Sequence, residues 1–133
     1  MYFQWTDNWP LLSAYNKALW DKHKAYATNS DAHAHFVLSA YKMAVERASA
    51  MLGGSWPSKK QVAAALRNIQ VPGLGGYRGY RSDQVMSTDF FVGATTHQND
   101  YDFVTVSPLR IMTAAQTQKP SGADFYQWVE TWG

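Results

Sequence analysis

Four histidines, His23, His33, His35 and His97, are the side chains best suited to hold a metal or move a proton. Their spacing argues against a metal centre. His33 and His35 stand two apart where a helix begins, so their rings diverge. Two ligands on one helical face need i, i+4 spacing, and two ligands two apart need a strand. His97 falls in a turn and His23 near a helix end. The chain has no cysteine, which removes thiol catalysis, disulfides and Cys-ligated zinc. Ser39, Ser55, Ser87 and Ser107 lack the Gly-x-Ser-x-Gly setting of a nucleophile elbow. The acidic residues form no pair spaced for general acid and base. Pro72-Gly73-Leu74-Gly75-Gly76 has the glycines of a phosphate loop, but no Gly-Lys-Ser or Gly-Lys-Thr follows and no strand-to-helix junction surrounds it. No catalytic residue, metal or cofactor is therefore expected, and the chain is read as a non-enzyme.

Composition narrows the partners. The chain has 133 residues, 46% of them hydrophobic, about one domain's length with enough apolar side chains for a core. Twelve Lys and Arg against ten Asp and Glu leave a net charge of +2 with no block of like charge, which argues against a nucleic-acid partner. No run of 18 apolar residues occurs. Met1-Tyr2-Phe3-Gln4-Trp5 lacks the basic and apolar regions of a signal peptide and reads as a strand that starts at once. The distinctive quantity is the 15% aromatic content, which demands either a large core or an aromatic surface that something else covers.

The elements that would position any site follow from periodicity. Asn8-Trp9-Pro10 starts a helix carrying Leu11, Leu12, Tyr15, Ala18 and Leu19, with Lys17, Asp21, Lys22 and Lys24 mostly on the other face. Ser30 or Asp31 caps a second helix to about Leu52, with Val37, Tyr41, Ala44, Ala48 and Met51 on one face and Phe36, Ala40 and Met43 beside them. Gly53-Gly54 ends it. Ser58 and Gln61 form a capping box for a third helix with Val62, Ala65, Leu66 and Ile69 at i, i+3, i+4 and i+7. A glycine turn enters an extended segment before Tyr80. Asp89–Thr96 and Tyr101–Val106 read as a hairpin around His97-Gln98-Asn99-Asp100, with Pro108 interrupting and Leu109–Met112 a further extended piece. Ser121 caps a last helix with Phe125, Trp128, Val129 and Trp132 on one face.

The order of these pieces resembles the C-terminal portion of periplasmic solute-binding proteins of the branched-chain amino acid and amide type, which serve ABC importers. The matching segments are Phe36-Val37-Leu38-Ser39-Ala40-Tyr41 through Ala48, Lys60-Gln61-Val62-Ala63-Ala64-Ala65-Leu66, Gly75-Gly76-Tyr77-Arg78-Gly79-Tyr80, and Asp83-Gln84 with Phe91-Val92-Gly93. The tail from Gln118 to Phe125 is also similar, so the likeness runs through nearly all of the chain. The resemblance implies an α/β chain forming part of a two-lobed periplasmic-binding-protein-like fold, with amphipathic helices and a C-terminal β-hairpin. Residues 1–29 and the tail would belong to the second lobe, and residues 31–90 to the first.

Function is implied by the same resemblance: binding a small amino-acid-like, amide or related organic solute in the interlobe cleft, in the periplasm or another extracytoplasmic space. The implied partners are that solute and the membrane permease of the importer. Cleft residues in such folds lie past the carboxyl ends of strands and at nearby helix starts. That points to Trp5, His35 and Phe36 as ligand-binding candidates. Each has a plainer role: Phe36 in core packing, His35 as a solvated helix-end histidine, Trp5 in hinge packing. Self-association is also expected, through helix faces meant for absent strands. Two further readings stand beside the importer: a ligand-sensing domain of the same fold, and a small independent α/β domain that is structural or oligomerising.

Overall fold

The computed structural model describes residues 9–120 and 122–131, so the expected strand at 2–6 and the residues Trp5, Ser121 and Trp132 lie outside the described residues. The chain mixes helices with small antiparallel sheets. The order is α1 (Pro10–His23), α2 (Asn29–Met51), α3 (Lys59–Ala65), β1 (Ile69–Gly73), β2 (Gly76–Tyr80), β3 (Met86–Ser87), β4 (Phe90–Thr96), β5 (Thr105–Met112), α4 (Ala114–Thr117) and α5 (Phe125–Glu130).

Pro10 occupies the first turn of α1, where its missing N–H is no loss. Lys24 ends the helix in the left-handed conformation, its N–H bonded to the Trp20 carbonyl. The cap of α2 is Thr28 rather than Ser30 or Asp31. Asp31 instead reaches back, its Oδ2 accepting from the Thr28 backbone N–H and hydroxyl, each at 2.6 Å. Ser58 and Gln61 make the capping box of α3, with the Ser58 N–H 2.8 Å from Gln61 Oε1.

The main core forms where α2 crosses the first hairpin. Phe36, Ala40, Ala44 and Ala48 are buried with Ala65, Ile69 and Val71. The stripe that faces inward is therefore the line spaced by four from Phe36. Val37, Tyr41 and Met51, from the other of the two expected apolar stripes, are exposed. The small side chains decide this: a row of alanines lets a sheet approach the helix backbone closely, whereas Tyr41 and Met51 would hold it off. Ile69 completes the i, i+7 spacing of α3 but heads β1 instead, because the helix ends at Ala65 and Asn68 turns the chain with a positive φ of 56°.

The glycine turn proves to be the tip of this first hairpin. β1 and β2 pair antiparallel, with Val71 opposite Arg78 and Gly73 opposite Gly76, and β3 adds a short third strand. Gly76 sits at φ 97°, a conformation that favours glycine. A β-carbon on Gly79 would lie 2.1 Å from the Ile69 carbonyl oxygen, so this position has no room for a side chain.

β4 and β5 form a separate two-stranded sheet with a bulge between Gly93 and Thr95. Here the expected strand at Tyr101–Val106 shifts forward. The Asn99 amide donates to the carbonyls of Thr96 and Phe103, each at 3.2 Å, and its oxygen accepts from the Tyr101 N–H. These local bonds hold residues 97–104 as a loop. β5 begins at Thr105 and runs through Pro108, which a free strand edge tolerates. In α5 the cap is Asp124, whose Oδ1 accepts from the N–H groups of Tyr126 and Gln127. Phe125 and Val129 on that helix are exposed.

A smaller cluster of Leu12, Ala32 and Leu74, with Trp9 and Tyr15 against it, ties α1 to the start of α2 and the tip of the hairpin. Rings then join the second sheet to α1. Trp9 meets Phe91 edge-on at 5.0 Å, and Tyr26 bridges Trp20 at 4.9 Å and Phe103 at 4.8 Å.

This packing sets two expected outcomes in urea unfolding. Phe36→Ala should lower stability by about 3–5 kcal/mol, because it empties a closed site. Gly79→Ala should lower it by about 1–3 kcal/mol, because the clash is with backbone that cannot swing aside. A near-neutral Phe36→Ala would mean that this ring is not a core residue.

Candidate functional site

Of the three ligand-binding candidates, Trp5 lies outside the described residues, and the other two sit side by side on the second turn of α2. They face different ways. Phe36 is 1% exposed, and its ring packs 5.4 Å from that of Tyr80, so it offers no face to solvent. His35 is half-buried and turns toward α1, where Tyr15 meets its ring edge-on at 6.3 Å. Its Nδ1 is shut away from solvent with no hydrogen-bond partner among the described residues.

Tyr15 links this pair to the cap of α2. Its hydroxyl donates to Asp31 Oδ1 at 3.3 Å, one helical turn before His35. Hydrogen bonds from Thr28, first its hydroxyl and then its backbone N–H, hold the Asp31 carboxyl below the usual carboxylate range. Burial pushes the Tyr15 phenol up, and the neighbouring Asp31 charge adds to that. At neutral pH the cluster thus holds a fixed carboxylate and a protonated phenol, with the carboxylate placed favourably at a helix N-terminus. Both shifts move Asp31 and Tyr15 away from proton exchange near neutrality.

Sequence reasoning passed over Arg78. It lies on β2 opposite Val71, on the strand face that also carries Tyr80. That face meets α2, so a cation stands where an apolar residue would be ordinary. Arg78 is 5% exposed, and its Nε and Nη1 have no hydrogen-bond partner among the described residues. Burial pulls the guanidinium below its usual range. The available signal was register: once Gly75-Gly76 is read as a hairpin turn, Arg78 falls two residues from Tyr80 and shares its face.

Other concavities lie elsewhere. One of about 290 Å³ opens between the end of α2 and α3, lined by Ala48, Met51, Leu52 and Ala64 with Arg47 and Gln61 at its polar side. Another of about 350 Å³ lies beside the tail, lined in part by Arg81, Ser87, Gln118 and Lys119. There Arg81 donates to the Lys119 carbonyl and pairs with Asp83 at 2.8 Å, and Gln118 donates to the Met86 carbonyl at 2.7 Å. Those bonds tie the tail to the first sheet, so the polar groups are already engaged. Among the described residues no group of three His, Asp or Glu could hold a metal ion, and no helix is long and apolar enough to cross a membrane.

No protein-family model matches this chain, and no curated protein sequence matches it.

The Asp31 cap generates a pH dependence. A carboxyl held below its unfolded value near about 3.9 contributes stability above that pH and loses it as pH falls through the folded value. Asp31→Asn should therefore lower Tm at pH 7, by the equivalent of about 0.5–2 kcal/mol of capping energy. The difference from the parent should shrink as the pH is taken below about 4. A constant difference across that range, followed by circular dichroism, would show that the carboxylate charge plays no part.

Proposed function

We propose that this chain is part of the solute-binding component of an importer, a two-lobed protein that holds a small amino-acid-like, amide or related organic solute between its lobes. The ordered likeness of segments from Phe36 through the tail suggests the family. The observation that carries the reading is the two-sided helix α2. Its inner face, Phe36 with Ala40, Ala44 and Ala48, is buried, while on the outer side Val37, Leu38 and Tyr41 are 52%, 69% and 53% exposed. A helix apolar on both sides is suited to lie between two layers. In a two-lobed α/β protein the outer side would meet strands of the first lobe.

In this reading the chain performs no chemical step. Solute binding favours the closed arrangement of the lobes, and the permease recognises that closed form in an extracytoplasmic compartment. Affinity comes from groups on both sides of the cleft, so one side alone should bind weakly.

Three measurements test it. The reading frame on the 5′ side of the codon for Met1 should continue through a further α/β lobe. Calorimetry on the 133-residue chain with amino acids, amides and urea should give dissociation constants on the order of 1 mM or weaker. Light scattering should show the chain associating at high concentration, and Val37→Glu with Leu38→Glu should reduce that association without lowering Tm. A monodisperse monomer that binds one of these solutes tightly would overturn the reading in favour of an independent small domain.

A further inference from the structure

We infer that Arg78 is the receptor for a carboxylate group that completes this fold, a site formed on the inner face of the first hairpin. The charge on this face of the hairpin is unbalanced. Arg78 is 5% exposed, and among the described residues neither Nε nor Nη1 has a hydrogen-bond partner. Arginine keeps its charge even when buried, so it cannot relieve the imbalance by giving up a proton. Burial depresses its proton affinity, and no anion among the described residues offsets the effect. An isolated buried cation of this kind is strongly unfavourable unless an anion pairs with it.

The surroundings are built for the side chain rather than disturbed by it. Its stem crosses Gly73: Cδ and Cγ lie 3.6 and 3.7 Å from where a β-carbon on Gly73 would be. A side chain at Gly73 would occupy the channel along which the arginine runs. The residue directly opposite is Val71, and the next residues on the same face are Gly76 and Tyr80. None of them can accept a guanidinium hydrogen bond through a charged group. A second orphaned polar atom, Nδ1 of His35, lies on the turn of α2 whose Phe36 packs on Tyr80.

A carboxylate is the matching chemistry. The guanidinium fork has two edges that accept a planar carboxylate in bidentate fashion. Each edge includes one of the two unpartnered nitrogens. The carboxylate can come from a small solute or from an acidic side chain of a second copy of the chain. Within the importer reading, on which this step of the assignment rests, it is the solute's own carboxylate.

The test uses formate, acetate and benzoate as probes on the full chain, with acetamide and benzamide as neutral isosteres and sodium chloride at matched ionic strength. Each carboxylate at about ten times its Kd should raise Tm by roughly 5 °C, and the amides and chloride should not. Arg78→Met should abolish the response while keeping or raising the Tm of the free chain, because it removes an unpaired buried charge. Arg78→Lys should retain a reduced response, since an ammonium lacks the fork. If the carboxylate belongs to a second copy, the parent chain should associate, free acetate should dissociate it, and Arg78→Met should be monomeric. Absence of any Arg78-dependent carboxylate effect in both assays overturns the inference. A neutral amide or amino acid whose binding survives Arg78→Met would overturn the carboxylate assignment while leaving the importer reading intact.

Discussion

The close contact between the alanine line of α2 and the first strand of the hairpin is the constraint on which the remaining structure depends. Ala40, Ala44 and Ala48 present almost no side-chain bulk, so β1 lies against the helix with Ile69 and Val71 filling the space. Phe36 supplies the one large ring in that layer, and it closes against Tyr80 from the paired strand. Small residues on the helix and β-branched residues on the strand are complementary: each fills what the other leaves. The same closeness explains Gly79, whose absent side chain lets β2 approach the carbonyl of Ile69. It also sets the depth at which Arg78 is buried, since the strand face that delivers Tyr80 to the core delivers Arg78 two residues earlier.

The aromatic residues serve a different purpose from the one a compact core would give them. Among the described residues only Phe36 of the large rings is fully buried in the main cluster. Others act as connectors between layers that share little area: Trp9 with Phe91, and Trp20 through Tyr26 to Phe103 and Tyr101. Edge-on and stacked pairs of this type add specific geometry to modest contact area. A third set, including Trp56, Phe125 and Tyr126, remains 81%, 54% and 77% exposed.

Charge is handled in two opposite ways at the two ends of the first hairpin and helix. Asp31 is fully provided for: Thr28 and Tyr15 supply its hydrogen bonds, and the helix N-terminus favours its negative charge. Arg78 receives nothing comparable and is buried more deeply. Among the described residues the fold thus satisfies a half-exposed carboxylate and leaves two nitrogens of a buried guanidinium without an acceptor.

Local signals were legible in the amino-acid sequence because their causes are local. Pro10 at a helix start, Ser58 with Gln61 three residues on, the Gly53-Gly54 stop and the strand at Phe90–Thr96 all depend on neighbours within a few positions. The mixed helix-and-strand class followed from them, while the helix ends shifted by a few residues, as at Thr28, Ala65 and Asp124. What only the tertiary structure decided was which side of each element is inside. Periodicity gave α2 two apolar stripes, and the sheet chose the one with alanines because the other carries side chains too large for close approach. The loop at 97–104 was settled by Asn99, whose side chain competes with strand pairing in a way no alternating pattern reveals. Arg78 was hidden for the same reason: a charged residue in a glycine-rich stretch reads as solvent-facing until strand register assigns it to the core face. Side-chain type determines what a residue prefers, but register and packing determine whether it gets it, and both arise from contacts between segments far apart in the chain.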